Sequence, residues 1–185
     1  MPVSTIGSDA LASSSVTRPK IGYAGAVLQV QRNQVTGRQT GANAWAYTTS
    51  ALGSPSSTTG SKYLEVSFTP TSATSLIIIE VYCSVLSEAT NTADQAGAAI
   101  WKNNTGAPLS VLHIATFTSN ISIAGSNSSS SATMLVTETA GSTDTRTYSW
   151  YAGVNGGGSV INSFGTDTSF GGQMSSIMTV TEIAA

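Results

Sequence analysis

Charge is what this sequence most conspicuously lacks. Of its 185 residues 9% are charged, against roughly a quarter in ordinary soluble domains. The net charge is −2, which excludes bulk electrostatic attraction to nucleic acid. A single cysteine, Cys83, excludes an internal disulfide. Its setting in "SLIIIEVYCSVL" makes it a buried small hydrophobe rather than a reactive thiol. One cysteine and one histidine, His113, cannot build a His/Cys zinc cluster. No nucleophile or orienting acid is assigned to His113, so it reads as a structural or interface residue. No motif pairs Asp94, Asp144 or Asp167 as a glycosidase would require. "NGGGS" and "FGGQ" lack the strand–loop–helix setting of a phosphate loop and read as turns. No catalytic, cofactor-binding or metal residue is therefore expected. The apolar run Leu76–Ile79 is far too short to span a membrane as a helix. Without a basic start and apolar core segment near Met1, assembly in the cytoplasm is expected.

What the chain has in abundance is hydroxyl groups. Serine and threonine make up about 30% of it, well above ordinary usage. Yet 40% is hydrophobic, too much for a disordered chain. The apolar residues come in short blocks separated by turn residues. These blocks are 24–31, 44–49, 61–70, 75–86, 96–102, 109–118, 132–139, 145–154, 159–164 and 175–183. In 61–70, Leu64, Val66 and Phe68 alternate with Tyr63, Glu65 and Ser67, the period of a half-buried strand. Nine or ten short strands at this spacing predict an all-β, antiparallel two-sheet sandwich, a jelly roll, over residues 24–185. The stretches 126–131 and 155–158 read as exposed loops.

The block 75–86 is apolar on both faces. Ile77, Ile79, Val81, Cys83 and Val85 form one; Leu76, Ile78, Glu80, Tyr82 and Leu86 form the other. Either the strand is central and covered twice by its own chain, or its second face meets another subunit. A carboxylate such as Glu80 in that position should be paired or hydrogen-bonded.

Charge is unevenly spread. Residues 1–62 hold Arg18, Lys20, Arg32, Arg38 and Lys62 against Asp9, a net of +4; the rest hold Lys102 and Arg146 against eight acids, a net of −6. Residues 1–23 have sparse apolar side chains and no strand pattern. They read as an extended arm whose Ile6, Leu11, Val16 and Ile21, with Arg18 and Lys20, bury themselves on something else. Four such side chains would contribute about 1.5–3 kcal/mol each before ordering entropy offsets much of it.

"AGAVLQVQ", then "YLEVSFTPTSATSLIIIEVY", then the C-terminal "GGQMSSIMTVTEI" resemble virion structural proteins of tailed bacteriophages, over roughly residues 24–183. The segment "ALASSSVTRPKI" resembles one copy of the Val-Thr-x-x-Lys-Ile repeat of trimeric fibre shafts, with Arg18-Pro19 departing from it. The resemblance implies a tumour-necrosis-factor-like jelly roll assembled as a homotrimer on the outside of the virion. It implies no enzyme activity and no cofactor, and virion proteins of the capsid or tail as partners. A fibre would present Ser128, Ser129, Asn155 and Gly157 to a host-surface glycan or protein. A capsid decoration (cement) protein would clamp the head instead, and a carbohydrate-binding module is a third reading. Leu76, Ile78, Glu80 and Tyr82 are the expected trimer contacts. No nucleic acid and no membrane insertion are expected.

Overall fold

The computed structural model describes residues 24–45, 55–56, 59–88, 96–114, 129–154, 159–163 and 172–185. Ten strands fill most of them: β1 (Val27–Thr36), β2 (Gln39–Gly41), β3 (Ser61–Phe68), β4 (Leu76–Glu88), β5 (Ala96–Lys102), β6 (Ser110–Ile114), β7 (Ser129–Thr139), β8 (Arg146–Val154), β9 (Ser159–Ile161) and β10 (Ser175–Ile183). No α-helix occurs among the described residues. The chain is all-β, and its two antiparallel sheets pack as a sandwich.

The first sheet runs β1–β10–β4–β7, with the short β2 and β9 continuing it past the end of β10. The second runs β3–β8–β5–β6. Five pairs nest along the sequence: β1 with β10, β2 with β9, β3 with β8, β4 with β7 and β5 with β6. The described strands thus form one antiparallel ribbon whose first two rungs lie in the first sheet and whose next three fall in the second, the first and the second again.

Period-2 patterning explains the core. On β4, Ile77, Ile79, Val81 and Cys83 point inward and are buried. They meet Leu64, Val66 and Phe68 of β3, and Tyr148 and Trp150 of β8, in one cluster. On β10 burial alternates at every residue, so Met178 and Val180 join that cluster while Ile177 and Thr179 face outward. Burial pushes the Cys83 thiol up to about 11, so it stays protonated and inert at neutral pH.

β9 and β10 occupy one strand position, because Ile161 lies opposite Leu86 and Ser176 opposite Cys83 on the same side of β4. The chain leaves the sheet after Ile161 and re-enters at Ser175. Asn162, buried and with φ of 61°, holds this break together. Its amide donates to Val35 O at 2.9 Å, and its Oδ1 accepts from Ser176 Oγ at 2.6 Å and Ser84 Oγ at 3.1 Å. Asparagine tolerates the left-handed conformation better than most residues, and its amide can serve donors and acceptors at once.

Some expectations needed correction. The loop expected at 126–131 is strand from Ser129 onward, since β4 runs on to Glu88 and Ser87 pairs with Ser129. Of the block at 44–49 only Ala44 and Trp45 are described, Trp45 in an isolated bridge to Thr59. β2 was not foreseen, and β1 extends five residues past Gln31 because β10 pairs with it along its whole length.

Candidate interaction face

The outer face of the first sheet has a regular grid fixed by register. Val27, Ile183, Leu76 and Thr139 form one row across the four strands; Val30, Thr181, Ile78 and Thr137 form the next. Arg32, Thr179, Glu80 and Leu135 form the third, and Gln34, Ile177, Tyr82 and Thr133 the fourth. Side chains opposite each other in an antiparallel sheet share a face, and the burial alternation on β10 and β4 puts all of these on the outside.

This face is apolar and hydroxylic, and it is open. Six large hydrophobic side chains are exposed among the described residues, and five of them stand here: Val27 (56%), Val30 (55%), Leu76 (38%), Tyr82 (53%) and Leu135 (62%). The sixth, Val111, is on β6 of the other sheet. Scattered exposed hydrophobes are ordinary; a contiguous patch marks a contact surface.

The four residues expected at a subunit contact, Leu76, Ile78, Glu80 and Tyr82, are therefore brought together on one face of β4. β4 is central in its sheet, yet its second face is not covered by the described residues. Glu80 departs from expectation: it is exposed, and neither a hydrogen bond nor an ion pair was found for it among the described residues. An open face leaves its carboxylate in water, so it needs no partner in a single chain.

Sequence reasoning missed Val27, Val30, Arg32 and Leu135 as members of this face. Leu135 had a readable signal. In "ATMLVTET" the inward positions are Ala132, Met134 and Val136, and Leu135 alone breaks a hydroxyl series of Thr133, Thr137 and Thr139. The arm residues Ile6, Leu11, Val16, Arg18, Lys20 and Ile21 lie outside the described residues, as do Ser128, Asn155 and Gly157. Ser129 lies on β7 rather than in a loop.

Most other charged side chains among the described residues are committed within the chain. Lys102 Nζ meets Glu138 Oε2 at 2.7 Å, and Tyr148 donates its hydroxyl to Glu138 Oε1. Burial and that negative neighbour hold the Tyr148 hydroxyl protonated well above the usual phenol range. Arg146, 5% exposed, donates to Ala140 O, to Ser142 O at 2.8 Å and to Asp144 O, which clamps the β7–β8 turn. Both cations line a cleft of about 190 Å³ with Asn103, Ser142, Asp144 and Thr145, larger than one water needs. Their heads are already spent on these internal partners. Trp45, Trp101 and Trp150 are all buried, so they form no exposed stacking platform for a sugar. The backbone of His113 pairs with Gly97 at the edge of the second sheet.

No protein-family model matches the chain, and no curated protein matches it.

Proposed function

We propose that this chain is a non-enzymatic structural protein of a tailed-phage virion, a homotrimer joined through the outer face of the first sheet. The observation that carries the reading is the concentration of exposed apolar side chains on that face, while most other charged side chains among the described residues are paired and the three tryptophans are buried. Association would remove Val27, Val30, Leu76, Tyr82 and Leu135 from water, at roughly 25 cal/mol per Å² buried.

The sandwich itself is proposed to be a jelly roll. The nested ribbon, with strand orders β1–β10–β4–β7 and β3–β8–β5–β6, supports it, because wrapping such a ribbon on itself generates two Greek keys. Residues 1–23 are proposed as the anchoring arm that docks Ile6, Leu11, Val16 and Ile21 on capsid or tail proteins. Three linked arms would convert weak docking into strong attachment through effective concentration. The module is read as a fibre that presents loops to a host receptor. The buried tryptophans weigh against the carbohydrate-binding alternative.

The test uses purified full-length protein and the same chain lacking residues 1–23, each offered to phage particles. The account expects both to be trimers and only the full chain to label particles, seen by electron microscopy with an antibody. Labelling at the tail together with blocked infection supports the fibre. Labelling on the head with raised heat resistance would replace the fibre by a decoration role. Absence of particle binding by the full chain would refute the virion reading.

A further inference from the structure

The third row of the open face, Arg32–Thr179–Glu80–Leu135, holds the only two charges of its four rows among the described residues. Every outward position in the neighbouring rows is apolar, hydroxylated or an amide. Arg32 is on β1 at the margin of the sheet; Glu80 is two strands inward on β4. At about 4.8 Å per strand spacing, their backbones are roughly 10 Å apart. Both are exposed, and neither belongs to an ion pair among the described residues.

Most other charged side chains among the described residues are matched within the chain. Lys62 is paired with Glu65, Lys102 and Arg146 with Glu138, and Glu182 is enclosed by donors. Leaving a guanidinium and a carboxylate unmatched amid exposed Val30, Tyr82 and Leu135 would oppose association, because each would lose its water without compensation. The cost disappears if each is answered by the other on a neighbouring copy.

Resting on the trimer reading, we infer that Arg32 of each subunit pairs with Glu80 of the next, so that three such pairs close the ring. The occupant of this face is a second copy of the chain, and the argument is self-complementarity of charge. A head-to-tail ring needs two different patches on each subunit, complementary to each other. A face with its cation at the β1 margin and its anion toward β7 supplies such patches. An arginine fork is well suited to hold a carboxylate where water is excluded. The pair sets register among otherwise non-directional apolar and hydroxyl contacts, and discourages face-to-face pairings that bring like charges together.

The experiment compares Arg32→Glu, Glu80→Arg and the doubly reversed chain with the parent by sedimentation equilibrium over a wide concentration range, with circular dichroism to verify folding. Both residues are exposed, so all four chains should fold. Each single reversal places like charges opposite each other. It should raise the concentration at which the trimer half-dissociates by at least about tenfold. The doubly reversed chain should return to within about threefold of the parent, since it restores an opposite pair and only its context differs. A trimeric parent whose single reversals leave the midpoint unmoved would overturn the pair while leaving the trimer standing. Single reversals that weaken the trimer without rescue by the double reversal would also overturn it. A parent that remains monomeric at all concentrations would remove the trimer reading and the pair with it.

Discussion

The two sheets are treated differently by their own chain. The outer face of the β3–β8–β5–β6 sheet is covered over β5 and β8, while Val111 of β6 stays exposed. Trp45 lies over Gly97 so closely that a Cβ there would be 2.0 Å from the indole, and it packs with Ala99, Trp101 and Tyr151. The backbone at Gly60 crosses Gly153, where a Cβ would be 2.8 Å from the Gly60 Cα. Glycine is required at these two points by close approach rather than by a turn. Even the surface charges there are matched, Lys62 with Glu65 at 2.7 Å, and Glu65 also accepts from Ser149 Oγ at 2.8 Å. Among the described residues, the outer face of the β1–β10–β4–β7 sheet has no such overlay. Valine, leucine and tyrosine stand out from it, and its two charges are unmatched.

The contrast can be broken most severely at Trp45. Trp45→Ala should cost about 3–5 kcal/mol of unfolding free energy, the usual penalty for a buried tryptophan, read as a lower denaturant midpoint. Gly97→Val drives a branched side chain into the same indole and should cost about 1–3 kcal/mol. If either variant melts like the parent, the second sheet is not held by its cover.

The inner side of the first sheet should respond to acid. Glu182 is fully buried. Burial raises its pKa, but hydrogen bonds from the Thr71 hydroxyl and backbone at 2.7 and 2.8 Å and from Gln29 at 2.6 Å outweigh this and hold it below the usual range. A depressed folded-state pKa contributes stability that is present above the unfolded value. It is lost as pH falls through the lower, folded value. The acid limb should therefore lie below about pH 4.3, the ordinary glutamate value. Glu182→Gln should flatten that limb; a limb of unchanged steepness would mean that other carboxylates dominate.

The smallest effect on the single chain belongs to the open face. Leu135→Ser should change the folding stability of a dissociated chain by no more than about 0.5 kcal/mol, even though it replaces a large hydrophobe. A loss comparable to that of Trp45→Ala would show that the face is packed within the chain after all.

The strands were readable where one face is buried. The alternation Leu64, Val66, Phe68 and the run 175–183 appear in the fold where the pattern put them. The two-sided apolar character of β4 left two readings open, a strand covered twice by its own chain or a face that meets another subunit; the exposure of Leu76 and Tyr82 shows that the described residues do not cover the second face. Pattern failed where long-range geometry decides. Nothing local marks Ser129–Ser131 as strand, since serine is no strand former; pairing with the far end of β4 makes it one. Residues 39–41 are strand only because β9 happens to lie alongside. Arg32 read as part of a basic N-terminal surplus. Its place on the open face depends on register with Thr179 and Glu80, which spans 147 residues of chain between Arg32 and Thr179.

The central claim is that the outer face of the first sheet is where copies meet. Its most direct test is the sedimentation-equilibrium mass of the full-length chain beside that of Leu135→Arg, which puts a third, unmatched charge amid Tyr82 and Glu80's row. The account predicts three times the chain mass for the parent and the mass of one chain for the variant, with both retaining the same β-rich circular dichroism. A parent that sediments as one chain, or a variant that remains as trimeric as the parent, would contradict it.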